Sequence, residues 1–218
     1  MSPRADRAAE ISAIGDHARS ALDDKHAARE VALRASRRII QCCAAAIRAV
    51  HREEFDEAER LAAEAGAHLA EAEDAVVGHP DLRWAGYLHD AMKEYAEAHL
   101  TLALVRGDGL PGPGDLGVEV PAYLNGMAEA ASELRRRLLD LLRRGEVDRG
   151  EELLSAMDEI YGLLVTIDYP DAVTGGLRRT TDALRAVIER TRGDLTTTIL
   201  QRRLQDAIES RMSTPDGD

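Results

Sequence analysis

Apolar residues recur at intervals of three and four along almost the whole chain of 218 residues, which is the spacing of one helical face. Between residues 29 and 52 the series runs through Leu33, Ile40, Cys43, Ile47 and Val50. No segment of useful length alternates apolar and polar residues as a half-buried strand does. The 36 alanines and the scarcity of aromatic residues, 3% of the chain, also favour helices. The sequence therefore predicts an all-α protein.

Glycine and proline divide this pattern into separate helices. The predicted helices cover residues 29–52, 53–77, 81–106, 121–145, 146–166 and 176–211. The glycine- and proline-rich segment from Gly107 to Gly117 is predicted to be a loop, and it lacks the GK[ST] ending of a phosphate-binding loop. No linker separates two cores. We therefore interpret residues 1–212 as one domain, a single antiparallel bundle of six or seven helices, and residues 213–218 as a frayed tail.

The two cysteines and the absence of long apolar runs bear on the compartment. Cys42 and Cys43 are adjacent in a helical segment and point about 100° apart, so an ordinary disulfide between them is unfavourable. No apolar run reaches the roughly 18 residues of a membrane span, and residues 1–24 lack the apolar core of a signal peptide. These features predict a reduced, cytoplasmic protein without a membrane partner.

The net charge of −12 conceals a strong local asymmetry. Residues 29–52 carry six arginines and one glutamate, a net +5, whereas residues 53–81 carry ten acidic residues and one arginine, a net −9. Arg34, Arg38, Gln41, Arg48 and Arg52 form a line beside the apolar seam, where guanidinium groups could bind phosphates. The alternative is that this line pairs with the acidic second helix across a hairpin.

A second basic cluster and two carboxylate pairs stand out later in the chain. Arg135, Arg136, Arg137, Arg143 and Arg144 fall late in one helix, where they could complement its macrodipole. Glu94 and Glu97 are three residues apart, and Glu129 and Glu133 are four apart, so each pair projects from neighbouring turns. If the two pairs face each other they could hold Mg²⁺ or Mn²⁺, which prefer carboxylate oxygens. Solvated helix faces are the alternative interpretation.

Several of these segments, in the same order, resemble the translin family. The segments are LRASRRII at 33–40, AIRAVHR at 46–52, KEYAEA at 93–98, YLNGMAE at 123–129, SELRR at 132–136, DEIY at 158–161 and DYPDA at 168–172. The likeness spans about residues 28 to 200, and the Arg-rich character is similar to that of archaeal members. It implies a seven-helix subunit of a hollow, octamer-like homo-oligomer that binds single-stranded RNA or DNA inside.

The resemblance also implies roles for individual residues. Glu94 and Glu97 match the two glutamates of the family motif Q-E-Y-V-E-A, in which Lys93 replaces the glutamine. Glu129 stands where the translin-associated factor X branch, a metal-dependent endoribonuclease, has an aspartate, so its carboxylate is one methylene longer. Glu133 matches a further family glutamate.

The leading hypothesis is a single-stranded RNA-binding protein that cleaves phosphodiester bonds with Mg²⁺ or Mn²⁺. Glu94, Glu97 and Glu129 are the predicted catalytic carboxylates, and Glu133 is a further predicted metal ligand. The predicted nucleic-acid-binding residues are Arg34, Arg37, Arg38, Arg48, His51 and Arg52. The alternatives are a non-catalytic shell for single-stranded nucleic acid and a helical adaptor without a nucleic-acid partner.

Overall fold

The computed structural model describes residues 3–212, with side chains from residue 7 onward. Every regular element in this range is a helix, which confirms the all-α prediction. The helices are α1 Pro3–His51, α2 Phe55–Val76, α3 Pro80–Arg83, α4 Gly86–Arg106, α5 Pro113–Leu116, α6 Val120–Arg143, α7 Val147–Leu164, α8 Asp171–Thr174 and α9 Leu177–Met212. The predicted tail at 213–218 lies outside the described residues, and the single-domain boundaries stay a prediction.

Helices α4 and α6 form the centre of the bundle. They pack against each other, with α1 and α2 on one side and α7 and α9 on the other. The leucine stripe of α6, which includes Leu134, Leu138 and Leu141, is completely buried between these layers. The α1–α2 pair meets over small side chains, among them Ala58 and Ala65. Because alanines bring the two backbones close, the longer charged side chains are displaced to the flanks of this pair.

Two features of the helices differ from the expected pattern. α1 starts at Pro3, well before the predicted residue 29. The predicted helix over 81–106 is interrupted, because Ala85 has an extended backbone between one-turn α3 and long α4. Trp84 therefore falls out of register with the apolar face of α4. Its side chain, which the periodicity assigns to the core, is 69% exposed.

The first part of α1 and the last part of α9 project from the bundle as exposed helix. Both carry apolar side chains in stripes, comprising Ile11, Ile14 and Leu22 on α1 and Leu200, Leu204, Ile208 and Met212 on α9. The α9 residues follow at steps of four and the α1 residues at steps of three and eight, about one and two helical turns, so each stripe falls on one side of its helix. Within residues 3–212, none of the helices is both long enough and apolar enough to cross a membrane.

Candidate functional site

Three glutamates from the two central helices meet at one point. Glu94 and Glu97 lie on consecutive turns of α4, and Glu129 lies on α6. Each offers a carboxylate oxygen, and the three oxygens lie within 4.8 Å of one another. The side chain of Glu129, although longer than the aspartate that the family resemblance led us to expect, thus joins the two glutamates of α4. Of the two interpretations given to these carboxylates, the structure agrees with convergence.

A glycine explains why α4 and α6 approach so closely here. A Cβ atom built on Gly126 would lie 2.6 Å from the carbonyl oxygen of Lys93 and 3.0 Å from both the Cβ of Ala96 and the backbone nitrogen of Glu97. Any side chain at this position would collide with the backbone of α4. Because Glu129 follows three residues later on α6, the glycine contact sets its distance from the carboxylates of α4.

Glu97 is the most enclosed member of the cluster. It is 8% exposed, although it carries an ionisable group. Burial, followed by the negative charges of Glu94 and Glu129, raises the pKa of Glu97 to about 8. A carboxyl group that is buried beside other carboxylates is unfavourable in its ionised form unless a cation compensates it. The position of Glu97 therefore favours a cation in the cluster.

Lys93 already supplies one positive charge. Its Nζ atom donates a hydrogen bond of 2.5 Å to Glu129 Oε2 and lies 3.2 Å from Glu94 Oε1. Partial burial disfavours the charge of this ammonium group, but Glu129 and Glu94 outweigh that effect and raise the pKa of Lys93. The ammonium group thus bridges two of the three converging carboxylates.

Glu133 lies next to the cluster on α6 and is held by a histidine from α1. His51 Nε2 lies 2.7 Å from Glu133 Oε2, and the His51 side chain is only 2% exposed. A carboxylate accepts hydrogen bonds, so the donor is Nε2–H. The other ring nitrogen of His51, Nδ1, is buried and has no hydrogen-bond partner among the described residues. The prediction that His51 binds nucleic acid stays a prediction, and in this structure its ring is enclosed and faces Glu133.

The cluster fits a small divalent cation in its donor chemistry. Mg²⁺ prefers oxygen ligands at about 2.1 Å, so two oxygens on opposite sides of one ion are about 4.2 Å apart. The carboxylate oxygens of Glu94, Glu97 and Glu129 lie within 4.8 Å of one another. Three ligands of one octahedral ion include adjacent pairs about 3 Å apart, so the side chains would have to close around the ion by up to about 2 Å. Glu133 is not one of the three carboxylates that converge, and its predicted role as a further metal ligand stays a prediction; its side chain is held by His51.

The predicted arginine line forms a separate surface on α1 and α2. Arg34, Arg37 and Arg38 line a groove of about 500 Å³ together with Gln41 of α1 and with His68 and Glu71 of α2. Arg48 is exposed farther along α1, and Arg52 pairs with Glu54 at 2.5 Å. Among the described side chains, Arg34, Arg37, Arg38 and Arg48 form no ion pair. Among the described arginines of the line, direct pairing with the acidic segment 53–81 is therefore observed only for Arg52.

Several acidic residues of α2 pair with cations outside the arginine line. Glu57 and Glu64 pair with Arg60 of the same helix, and Glu59 pairs with Arg106 of α4. The groove and the carboxylate cluster are built from different helices, α1 with α2 in one case and α4 with α6 in the other. None of the hydrogen bonds among the described residues joins the groove arginines to the cluster.

One arginine of the second basic cluster has no ion-pair partner among the described residues, and the sequence pattern gave it no separate role. Arg135 pairs with Asp194, Arg137 and Arg144 pair with Glu53, and Arg143 lies 3.7 Å from Asp140. Arg136 is exposed, and it follows Glu129 by seven residues, which is about two helical turns on the same face. Spacing from Glu129 was the signal that could have identified it.

We expect the stability of the metal-free protein to depend on pH through Glu97. Its pKa of about 8 in the folded protein exceeds the ordinary value of 4.5, so its contribution to stability is complete below pH 4.5 and is lost as the pH rises through 8. Glu97→Gln is neutral throughout. We therefore expect this variant to melt at a higher temperature than the wild type in EDTA. The difference in melting temperature, measured from pH 5 to 9, should grow with pH up to about pH 8.

The exposed Glu151 on α7 provides the matched control, and Glu151→Gln should follow the wild-type curve. A difference between Glu97→Gln and the wild type that stays constant from pH 5 to 9 would contradict the raised pKa.

Comparison with known proteins identifies similar chains. No family model matches the sequence. The chain is 32% identical to AfC3PO, which has been solved in crystals and in a complex with duplex RNA; the likeness covers 86% of this chain and 97% of that one, with a TM-score of 0.79. Apo-NeC3PO, at 19% identity, 84% and 96% coverage and a TM-score of 0.75, shares the fold. The uncharacterized protein MJ0175 of Methanocaldococcus jannaschii is 29% identical over 191 residues, covering 86% of this chain and 84% of its own length.

The fold and the site together define a class of protein, an all-helical bundle with an acidic centre between its two central helices. The likeness to AfC3PO covers nearly the whole of that chain. The chain belongs to the translin family.

Proposed function

We propose that this protein binds RNA and cleaves it with the help of a divalent cation, Mg²⁺ or Mn²⁺, held by Glu94, Glu97 and Glu129. The observation that carries the proposal is the convergence of these three carboxylates, one of them buried, within 4.8 Å. A similar chain, AfC3PO, has been solved with duplex RNA, which supports a nucleic acid as the ligand. Single-stranded RNA is the proposed substrate, and single-stranded DNA and duplex RNA are the ligands to compare with it.

The chemistry requires a water nucleophile near a phosphodiester and stabilisation of negative charge. A divalent cation, when bound, polarises a phosphate oxygen and activates water. Glu94 and Glu129 are partly exposed, so their carboxylates face solvent and substrate, while buried Glu97 supports them from α4. His51 donates to Oε2 of Glu133 and leaves the other oxygen of this carboxylate for the cluster. In this way the side chain of Glu133 is oriented before substrate binds.

We propose that arginines without an acidic partner bind the phosphates of the RNA backbone. Arg34, Arg37 and Arg38 line the groove between α1 and α2, and a guanidinium group matches the geometry of a phosphate. Arg48 extends this surface toward the end of α1, where Arg52 is shared with Glu54. Arg136 lies on α6, about 10 Å along the helix from Glu129 by helical rise. It is our candidate for the phosphates that flank the cleaved bond.

Arg38→Gln should weaken RNA binding in a salt-dependent manner. Each phosphate neutralised on a single strand contributes about 0.7 to the slope of log K against log salt, so losing one contact should reduce the slope by about 0.7. Fluorescence anisotropy of a labelled RNA at several salt concentrations measures this slope. Arg19, which lies on the same helix and pairs with Asp16, provides the control Arg19→Gln. Equal slopes for Arg38→Gln and the wild type would remove Arg38 from the binding surface.

A second candidate function is sequestration of single-stranded nucleic acid without cleavage. The observation that favours it is the contact of Lys93 with Glu129 and Glu94, since this ammonium group compensates part of the cluster without a metal. Incubation of end-labelled single-stranded RNA with Mg²⁺ or with EDTA separates the candidates. Internal cleavage only with Mg²⁺ supports the enzyme. Binding without cleavage supports sequestration, and the absence of both leaves a helical adaptor.

We infer that the subunit acts in the cytoplasm as a homo-oligomer, octamer-like as the family resemblance implies. The projecting ends of α1 and α9 carry the apolar stripes that include Ile11, Leu22, Leu204 and Ile208. Apolar stripes of this kind on projecting helices are typical of surfaces that another subunit covers. Light scattering at the working salt concentration tests the assembly, and a monomer would contradict it.

A further inference from the structure

Lys93 places a cation inside the carboxylate cluster. Its Nζ atom contacts Glu129 Oε2 at 2.5 Å and Glu94 Oε1 at 3.2 Å, which come from α6 and α4 respectively. The lysine side chain is 22% exposed, so the ammonium group is substantially withdrawn from bulk water. Hydrogen bonds of an ammonium group to carboxylates are strongest in such partly dry surroundings.

The same two carboxylates are needed by a divalent cation. Glu94 and Glu129 each contribute one of the three oxygens that lie within 4.8 Å. A carboxylate oxygen that accepts a hydrogen bond from an ammonium group has to give up that bond, or share it, before it can bind a metal. The ammonium group of Lys93 and a divalent cation bound to the same carboxylates would also repel each other strongly. Occupation by the ammonium group and occupation by a metal are therefore alternatives.

We propose that Lys93 is a built-in counter-ion that competes with the divalent cation for Glu129 and Glu94, and thereby sets how tightly this site binds metal. The inference rests on the proposed function in that it takes the same cluster as the metal site. When the metal binds, the lysine side chain withdraws from the two carboxylates. Its flexible four-carbon stem and its partly exposed position allow that movement.

The chain offers a matched test because it has only two lysines. Lys93→Gln and Lys93→Met remove the competing charge, and Lys25→Met removes the other lysine, which pairs with Asp81 on α3. A charged hydrogen bond is typically worth the equivalent of a tenfold to hundredfold change in an equilibrium constant. We expect both Lys93 variants to bind Mn²⁺ about tenfold to a hundredfold more tightly, as measured by electron paramagnetic resonance of free Mn²⁺. Lys25→Met should bind Mn²⁺ like the wild type.

A second measurement uses the wild-type protein and so does not depend on how well a variant folds. Selective labelling of lysine with ¹³C and ¹⁵N gives two side-chain signals by NMR, and Lys25→Met assigns them. On titration with Mg²⁺ we expect the Lys93 signal to move as its bonds to Glu129 and Glu94 break, while the Lys25 signal stays in place. The movement should saturate over the same range of concentration as metal binding.

The outcomes separate this inference from the proposed function. Equal Mn²⁺ affinity in the wild type and both Lys93 variants, or a Lys93 signal that stays fixed while metal binds, overturns the competition. Tighter Mn²⁺ binding by the Lys93 variants without cleavage of RNA by any of the proteins supports the competition and overturns the nuclease. Absence of Mn²⁺ binding in every protein overturns both.

Discussion

Glu97→Gln is expected to reduce magnesium-dependent cleavage of RNA at least about a hundredfold while leaving RNA binding nearly unchanged. Glu97 is the buried member of the three carboxylates, and glutamine fills its space without the negative charge. Changes even to the residues that surround metal ligands typically cost tenfold to a hundredfold in affinity or activity, so losing a ligand should cost at least as much. RNA binding should persist because the arginine groove belongs to α1 and α2.

Two measurements distinguish this effect from misfolding. Because burial and neighbouring carboxylates raise the pKa of Glu97, the glutamine variant should be at least as stable as the metal-free wild type near pH 8. A loss of activity at higher melting temperature is therefore the expected combination. Glu151→Gln, on the exposed face of α7, should cleave RNA like the wild type. Undiminished cleavage by Glu97→Gln would show that this carboxylate has no part in the reaction.

The carboxylate site was largely predictable because its signals are local in the sequence. The spacing of Glu94 and Glu97 places both on neighbouring turns of one helix, and a helical period is the most reliable pattern in a sequence. Glu129 faces them from α6, and this depends on how the two helices pack. Periodicity alone does not predict such packing, so Glu129 was identified from the family resemblance. The long apolar stripes of α4 and α6 likewise predicted that these two segments are helices.

The features that the sequence did not predict depend on contacts between distant segments or on local breaks in a helix. His51 and Glu133 are 82 residues apart, and nothing in the neighbourhood of His51 distinguishes a histidine facing α6 from one facing solvent. Trp84 lies in phase with the α4 stripe by counting residues, but the extended backbone of Ala85 breaks the count. The acidic α2 and basic α1 carry complementary charge, yet their alanine-lined contact leaves Arg34 without an ion pair among the described residues. Summed charges do not reveal such local geometry.

Gly126→Ala is expected to destabilise the protein and to weaken metal binding together. The added Cβ would lie 2.6 Å from the carbonyl oxygen of Lys93, which belongs to the backbone of α4 and cannot rotate away. Forcing an extra carbon into a packed interior typically costs about 1–3 kcal/mol. For a chain of this size each kcal/mol lowers the melting temperature by about 2–4 °C. We therefore expect a decrease of several degrees by differential scanning calorimetry.

The neighbouring residue limits how the helix can relieve this collision. Asn125 donates hydrogen bonds of 2.9 Å to the carbonyl of Pro121 and 2.8 Å to that of Thr174, and its Oδ1 accepts a hydrogen bond of 2.7 Å from Thr180. The bonds to Thr174 and Thr180 tie α6 to α8 and α9. A shift of α6 away from α4 therefore strains a second contact, so we expect the cost to lie toward the upper end of that range.

Any shift that does occur separates Glu129 from the carboxylates of α4. Mn²⁺ affinity of Gly126→Ala, measured well below its melting temperature, should fall at least about tenfold, since misplacement by an ångström is costly where several groups must converge. Gly162 on α7 provides the control, because a Cβ there has no neighbour within 4 Å. Gly162→Ala should gain up to about 1 kcal/mol from helix propensity and bind Mn²⁺ unchanged. If Gly126→Ala behaves like Gly162→Ala in both measurements, close contact at Gly126 does not set the geometry of the site.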